Sequence, residues 1–87
     1  MPDGAGPGDL IISAMAASGM SLDDLSRSTR LRVGLLEQMT RNDFVITGGD
    51  VYARGHLRVI AGVLGLDVDE LLFAYDALPV SQRPPAP

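Results

Sequence analysis

Between residues 21 and 75 the chain reads SLDDLSRSTRLRVGLLEQMTRNDF, then a Gly-Gly-Asp break, then VYARGHLRVIAGVLGLDVDELLFAY. Apolar residues recur there every three or four positions, and each run is bounded by a capping residue or a glycine. That punctuation admits short amphipathic helices and little else. Ser21 opens one helix with Asp24 three residues on, the spacing at which a hydroxyl and a carboxylate satisfy two backbone N–H groups reciprocally. Leu22 and Leu25 face inward from this helix, which ends near Ser28. The next runs from about Arg32 to Arg41 with Leu35, Leu36 and Met39 on one face, and Arg32 stands where Ser, Thr or Asp would cap best. Asn42 to Gly49 reads as a loop. Asp50 is expected to cap a long helix, Val51 to Leu64, ended by Gly65. Asp67 with Glu70 repeats the cap pattern before a last helix from Val68 to Ala77, stopped by Pro79. Upstream, Leu10, Ile11, Ile12 and Met15 mark a first helix over residues 8–18, with Gly19 suited to a left-handed helix end. The pattern predicts an all-α five-helix bundle over residues 8–78. Residues 1–7 are expected to be a disordered N-terminus too rich in Gly and Pro to pack, and residues 79–87 a Pro-rich linker or tail.

The second and third helices carry a further constraint. Two helices crossing steeply around a tight turn need a small residue where they touch and apolar residues on both sides of the turn. Ser26 is the small residue, Leu25 and Leu31 flank the turn, and Leu36 and Met39 seat the second helix. This is the spacing of a helix-turn-helix.

Size and charge narrow the function classes. A chain of 87 residues makes one small domain, which buries about 60–65% of the surface its unfolded form exposes. With 46% apolar residues but only 5% aromatic, the core must be aliphatic and methionine-rich. There is no cysteine, so disulfide and thiolate chemistry are excluded. The net charge of −4 opposes long-range attraction to nucleic acid or anionic lipid. All seven basic residues are Arg, however, and a local basic face can still act within about 10 Å. No stretch is apolar for long enough to span a membrane, and the first residues lack the basic-then-apolar order of a signal peptide. LPVSQRPPAP has the composition of an extended linker, a segment of the kind that joins a domain to further sequence, and the residues leave open whether the coding chain continues past Pro87.

Ser21-Leu22-Asp23-Asp24, Thr29-Arg30-Leu31-Arg32-Val33, Leu36-Glu37, Asp43-Phe44, Val51-Tyr52-Ala53-Arg54-Gly55, Leu57-Arg58 and Gly65-Leu66-Asp67 through Leu72 stand together in register with a known pattern. The chain resembles the N-terminal cytoplasmic domain of the RodZ family, a Cro/Xre-like helix-turn-helix, over about residues 8–76. That resemblance implies the cytoplasmic head of a membrane-anchored cell-shape protein that binds the actin-like filament protein MreB. The resemblance implies that the anchor would be one transmembrane helix beyond Pro87, tethering the head to the inner face of the cell membrane. The chain departs from the pattern at Ile12 and Met15, where Arg is usual, at His56, where an aromatic residue is common, and at Val59-Ile60, which replaces a Ser-Tyr pair.

The candidate partner-binding residues lie on the fourth helix. At 100° per residue, Ala53, Leu57, Ile60, Ala61 and Leu64 make one apolar stripe, while Tyr52, His56, Val59 and Val63 make a second beside it. Tyr52 is the expected anchor and His56 a rim contact. Arg54 and Arg58, one turn apart, are expected to grip an acidic partner. The alternative is a DNA-binding regulator using Arg27, Arg30, Arg32, Gln38 and Arg41. Of the early positions on its reading helix only Arg32 and Gln38 suit base edges, which predicts weak or non-specific binding. Leu10, Ile11, Ile12 and Met15 cannot all face one core, so one is expected at a surface where it supports weak self-association. His56 is the sole histidine, so no metal site is expected. No nucleophile-base pair or phosphate-binding loop appears, so neither a catalytic residue nor a cofactor is expected.

Overall fold

The computed structural model describes residues 6–85. Among them are five α-helices and no strand: α1 Pro7–Ser18, α2 Leu22–Thr29, α3 Val33–Thr40, α4 Asp50–Leu64 and α5 Val68–Asp76, followed by a single 3-10 turn, Val80–Gln82. The all-α five-helix architecture expected from the sequence is the one observed. Helix α1 packs on α3, α4 and α5, while α2 packs on α3 and α4. Ile11 and Met15 of α1 thereby meet Leu25 of α2, Leu36 and Met39 of α3, Leu57 and Ile60 of α4 and Leu71 and Tyr75 of α5 in one buried cluster. Full burial of an aliphatic side chain contributes about 1.5–3 kcal/mol. These residues, and not intrinsic helix propensity, therefore hold helices of eight or nine residues such as α2, α3 and α5.

The local signals work as chemistry requires. The Ser21 hydroxyl accepts from the Asp24 N–H at 3.1 Å, and the Asp24 carboxylate accepts from the Ser21 N–H at 3.1 Å. Gly19 and Gly65 end α1 and α4 in the left-handed region, at φ 68° and 72°. At the helix-turn-helix corner the Ser26 hydroxyl donates to the Leu31 carbonyl, and Thr29, buried, donates to the Leu25 carbonyl at 2.7 Å. Arg30 occupies the left-handed position at this corner, φ 64°. Arg32 precedes α3 at the N-cap position and makes no side-chain capping bond, as the sequence implied.

Three expectations are corrected. Pro7 is not part of an unpacked terminus: it is the first residue of α1, where a missing N–H costs nothing, and it is fully buried. The rest of that stretch, residues 1–5, lies outside the described residues. Asp50 does not cap α4; Gly49, at φ 120°, precedes the helix and Asp50 is its first residue. Two consecutive glycines with positive φ let the chain turn sharply here, and the Asp50 carboxylate is instead engaged by Arg54 and by the Tyr75 hydroxyl. Residues beyond Pro79 also fold back onto the bundle. The Phe44 N–H donates to the Gln82 carbonyl at 2.8 Å, and Arg83 and Pro84 are half-buried.

Candidate functional site

Helix α4 presents the two stripes that its sequence implied. The first is core: Ala53, Leu57, Ile60 and Ala61 are all buried. The second is only partly covered, and His56 within it lies beside Leu35 and Gln38 of α3. Val63 and His56 are half-buried, Val59 is exposed, and Tyr52 is 64% exposed one turn from the helix start. Tyr52 therefore does not belong to the core. Val51 beside it is 79% exposed, and Ile46 in the preceding loop is 61% exposed. Burial on such a surface would release apolar area that folding itself leaves wet.

Two shallow hollows join this patch to the helix-turn-helix. Val45, Gly48, Val51, Tyr52 and Pro85 line the first, so the returning tail lies beside the exposed tyrosine. Arg32, Gln38, Ile46, Gly48 and His56 line the second. Gly48 is common to both. The start of α3, the 42–49 loop and the first two turns of α4 thus form one continuous surface, with apolar residues toward the tail and Arg32 and Gln38 at the far side.

Arg54 departs from its expected role. Its Nε donates to Asp50 Oδ2 at 2.8 Å, its Nη2 donates to Asp76 Oδ1, and its guanidinium lies over the Tyr75 ring. The guanidinium is committed to fastening α4 to α5 and is not a free grip for a partner. These contacts raise the Arg54 pKa above its ordinary value, through hydrogen bonding to Asp76 first and to Asp50 second. The Asp50 carboxyl is held below the usual carboxylate range by the Arg54 hydrogen bond and then by the Tyr75 hydroxyl, which donates to it at 2.8 Å. Burial, reinforced by the neighbouring Asp50, pushes the Tyr75 phenol well above its ordinary range. Arg58, in contrast, is exposed.

The five residues of the DNA alternative are spread along the corner. Arg27 is exposed and paired with Asp24 at 2.7 Å. Arg30, Arg32 and Arg41 are exposed, and Gln38 is half-buried. Only Arg32 and Gln38 share a hollow, and they share it with His56. In α1, Ile11 is buried while Ile12 remains 49% exposed, so one of its apolar residues is left at the surface as the spacing required.

Sequence reasoning missed Val45 and Ile46 as surface residues, because a loop reading assigns no face to its apolar positions, and it assigned Val51, at the start of the helix, to neither stripe. It also missed the Asp50–Arg54–Asp76–Tyr75 cluster. Half of that cluster was readable: Asp50 and Arg54 stand at i, i+4 on one helix, and Tyr75 falls one turn after the core residue Leu71. The α5 partners come into reach only through tertiary packing.

Comparison with known proteins is consistent with this architecture. The profile of a helix-turn-helix domain family matches residues 16–71. The chain is 33% identical over 70 residues to the cytoskeleton protein RodZ of Streptococcus pneumoniae (strain ATCC BAA-255 / R6). That match takes in 80% of this chain but 25% of the relative, so the chain spans about a quarter of the relative's length. The solved structure of YmfM from Staphylococcus aureus, a candidate DNA-binding membrane protein, superposes with a TM-score of 0.76 at 24% identity. It covers 90% of this chain and 96% of that one, and shows the fold alone. Among the described residues no helix is long and apolar enough to cross a membrane.

Proposed function

The chain belongs to the helix-turn-helix family in its RodZ-like form, and from that premise we propose that it is a non-catalytic protein-binding head of a cell-shape protein, docking an MreB-type filament through the start of α4. The observation that carries this reading is Tyr52: a large ring 64% exposed beside Val51 and Ile46, on a helix whose other stripe buries Ala53, Leu57, Ile60 and Ala61 in the core. Aromatic side chains with a wet hydroxyl and an apolar ring are favoured anchors at interfaces. His56 stands one turn on as a rim contact, and Arg58 supplies the remaining free charge on this helix. The name of the relative, a cytoskeleton protein, supports the class of partner, and the RodZ resemblance supports a head tethered to a membrane by sequence elsewhere in the full protein.

Cosedimentation of the domain with purified MreB-type filaments tests the proposal. Tyr52→Ala should weaken binding about thirtyfold, the equivalent of ~2 kcal/mol for a true anchor. Its stability should stay within ~0.5 kcal/mol of wild type because the ring is not in the core. A folded Tyr52→Ala protein that pellets with filaments as well as wild type rejects the assignment.

Exposed Arg30, Arg32 and Arg41 along the corner favour a second reading, weak DNA binding through phosphate contacts. Such binding should fall steeply with salt as counterions are released. A duplex preferred about 10³-fold over random sequence would favour a regulator over an adaptor. Exposed Ile12 supports the companion proposal of weak self-association through α1. A strictly monomeric wild type in sedimentation at high concentration removes it, and Ile12→Arg should abolish any dimer seen.

A further inference from the structure

A third surface shares no lining residue with the two hollows at α4. A groove of about 530 Å³ runs between α1 and α5, floored by Leu10, Ala74, Ala77 and Leu78 and walled by Phe73. Phe73 is 78% exposed, an unusual place for one of only two phenylalanines in the chain. The other, Phe44, is fully buried. The same groove is edged by carboxylates. Asp9 and Glu70 both line it, and both are exposed.

Charge decides what can occupy this groove. Helix α5 carries Asp69, Glu70 and Asp76 and no basic residue, and none of the seven arginines lines the groove. Asp76 is neutralised by Arg54, while among the described residues Glu70 has no cationic partner and Asp9 accepts from the Gly6 N–H and the Asn42 amide. A second copy seated here in a two-fold arrangement would set acidic rim against acidic rim. An anionic lipid surface is repelled by the same charges. A cationic partner is attracted, and the cleft between two helices has the form that receives an amphipathic helix through spaced apolar side chains.

We propose that the α1–α5 groove docks a basic amphipathic helix of a protein partner, with an apolar side chain seated against Leu10, Phe73 and Ala77 and flanking Lys or Arg residues directed to Glu70 and Asp9. Phe73 supplies the apolar contact area and the carboxylates fix orientation and select the sign of charge. The site shares no lining residue with the surface at Tyr52.

The test uses the full chain and a fluorescent amphipathic peptide of Leu, Ala and Lys, with a second peptide carrying Glu in place of Lys. Anisotropy should show binding of the Lys peptide, weakened about tenfold by Phe73→Ala and about threefold by Glu70→Gln. Asp23→Asn, which removes an exposed charge on α2, should leave it unchanged. Thermal midpoints confirm that each variant is folded. The proposal is overturned if wild type does not bind, if the Glu peptide binds equally, or if Phe73→Ala and Glu70→Gln bind as wild type does. Equal weakening by Asp23→Asn reduces the effect to net charge and also overturns it. Phosphatidylglycerol vesicles captured by wild type but not by Phe73→Ala would assign the face to a membrane instead.

Discussion

Arg54 lies across Tyr75, its guanidinium carbon 5.1 Å from the ring centroid, while the same side chain bridges Asp50 on its own helix and Asp76 on the next. The phenol meanwhile donates to Asp50, so four side chains close a ring that ties the start of α4 to the end of α5. Phe44 packs against this tyrosine in a T-shaped arrangement, ring centroids 5.2 Å apart. The loop that carries Val45 and Ile46 is therefore anchored to the same point.

Arg54→Lys should destabilise the domain although the charge is kept. An ammonium cannot donate to both carboxylates in a fork or stack flat on the ring. The pairs are partly exposed, with the Asp50 and Asp76 side chains about half accessible. Solvent screening therefore limits the loss to about 1 kcal/mol. Urea denaturation measures it, and a midpoint equal to wild type would show the cluster to be energetically idle.

Stability should fall at both ends of the pH scale, for opposite reasons. The folded Asp50 pKa lies below its unfolded value, so its contribution is present above the ordinary carboxylate range, near pH 4, and is lost as pH drops through the lower folded pKa. Tyr75 is the converse case. Its folded pKa is raised, so its contribution is complete below about pH 10 and is lost as pH climbs toward the folded value. Thermal midpoints across pH should show both declines. Asp50→Asn should flatten part of the acid arm and Tyr75→Phe the alkaline arm. An unchanged alkaline arm in Tyr75→Phe would place the titrating group elsewhere.

Gly8→Ala should cost about 1–3 kcal/mol, the range for overpacking a close contact. A Cβ at Gly8 would stand 2.5 Å from the carbonyl oxygens of both Met39 and Thr40, backbone atoms that cannot rotate away. The Gly8 N–H also donates to Asn42 Oδ1 at 2.7 Å, so relief by withdrawing α1 would break that bond. Calorimetry of the variant checks the number.

Arg30→Gly should do the reverse. Arg30 sits at φ 64°, a conformation that costs an L-residue roughly 1–2 kcal/mol. Glycine removes that cost but gives back part of it as added freedom in the unfolded chain. A net gain of about 0.5–1 kcal/mol is expected in denaturant titration. If the same variant also loses DNA affinity at low salt, the strained arginine is held at the corner for its charge; if affinity is unchanged, the phosphate-contact reading loses one of its exposed residues.

Helix number, order and most ends were legible because capping chemistry is local. Ser21 with Asp24, Asp67 with the Glu70 N–H, Gly19 and Gly65 each act within one turn. Asp50 misled for a tertiary reason: its position just before the apolar run is a cap signature, yet Arg54 and Tyr75 compete for its carboxylate once α5 has packed. The same packing withdraws Arg54 from the candidate surface while leaving Tyr52 on it. Spacing placed both on α4 but could not say which side α5 would take. Phe73 and Tyr75, two residues apart on one short helix, show the limit most clearly. Periodicity puts them on different faces, and only the assembled bundle shows that the tyrosine is buried and the phenylalanine is not.

The strap formed by residues 80–85 gives the molecule a load path. A pull applied at Pro85 meets Arg83, half-buried, and then the single backbone hydrogen bond from Phe44 to Gln82, worth about 1 kcal/mol. Both are far weaker than the helix packing behind them. Tension along the chain would peel the strap from the hollow beside Tyr52 while the bundle stayed folded. Tyr52 and Pro85 line that one hollow, so how much of the exposed ring is bare depends on whether the strap lies in place.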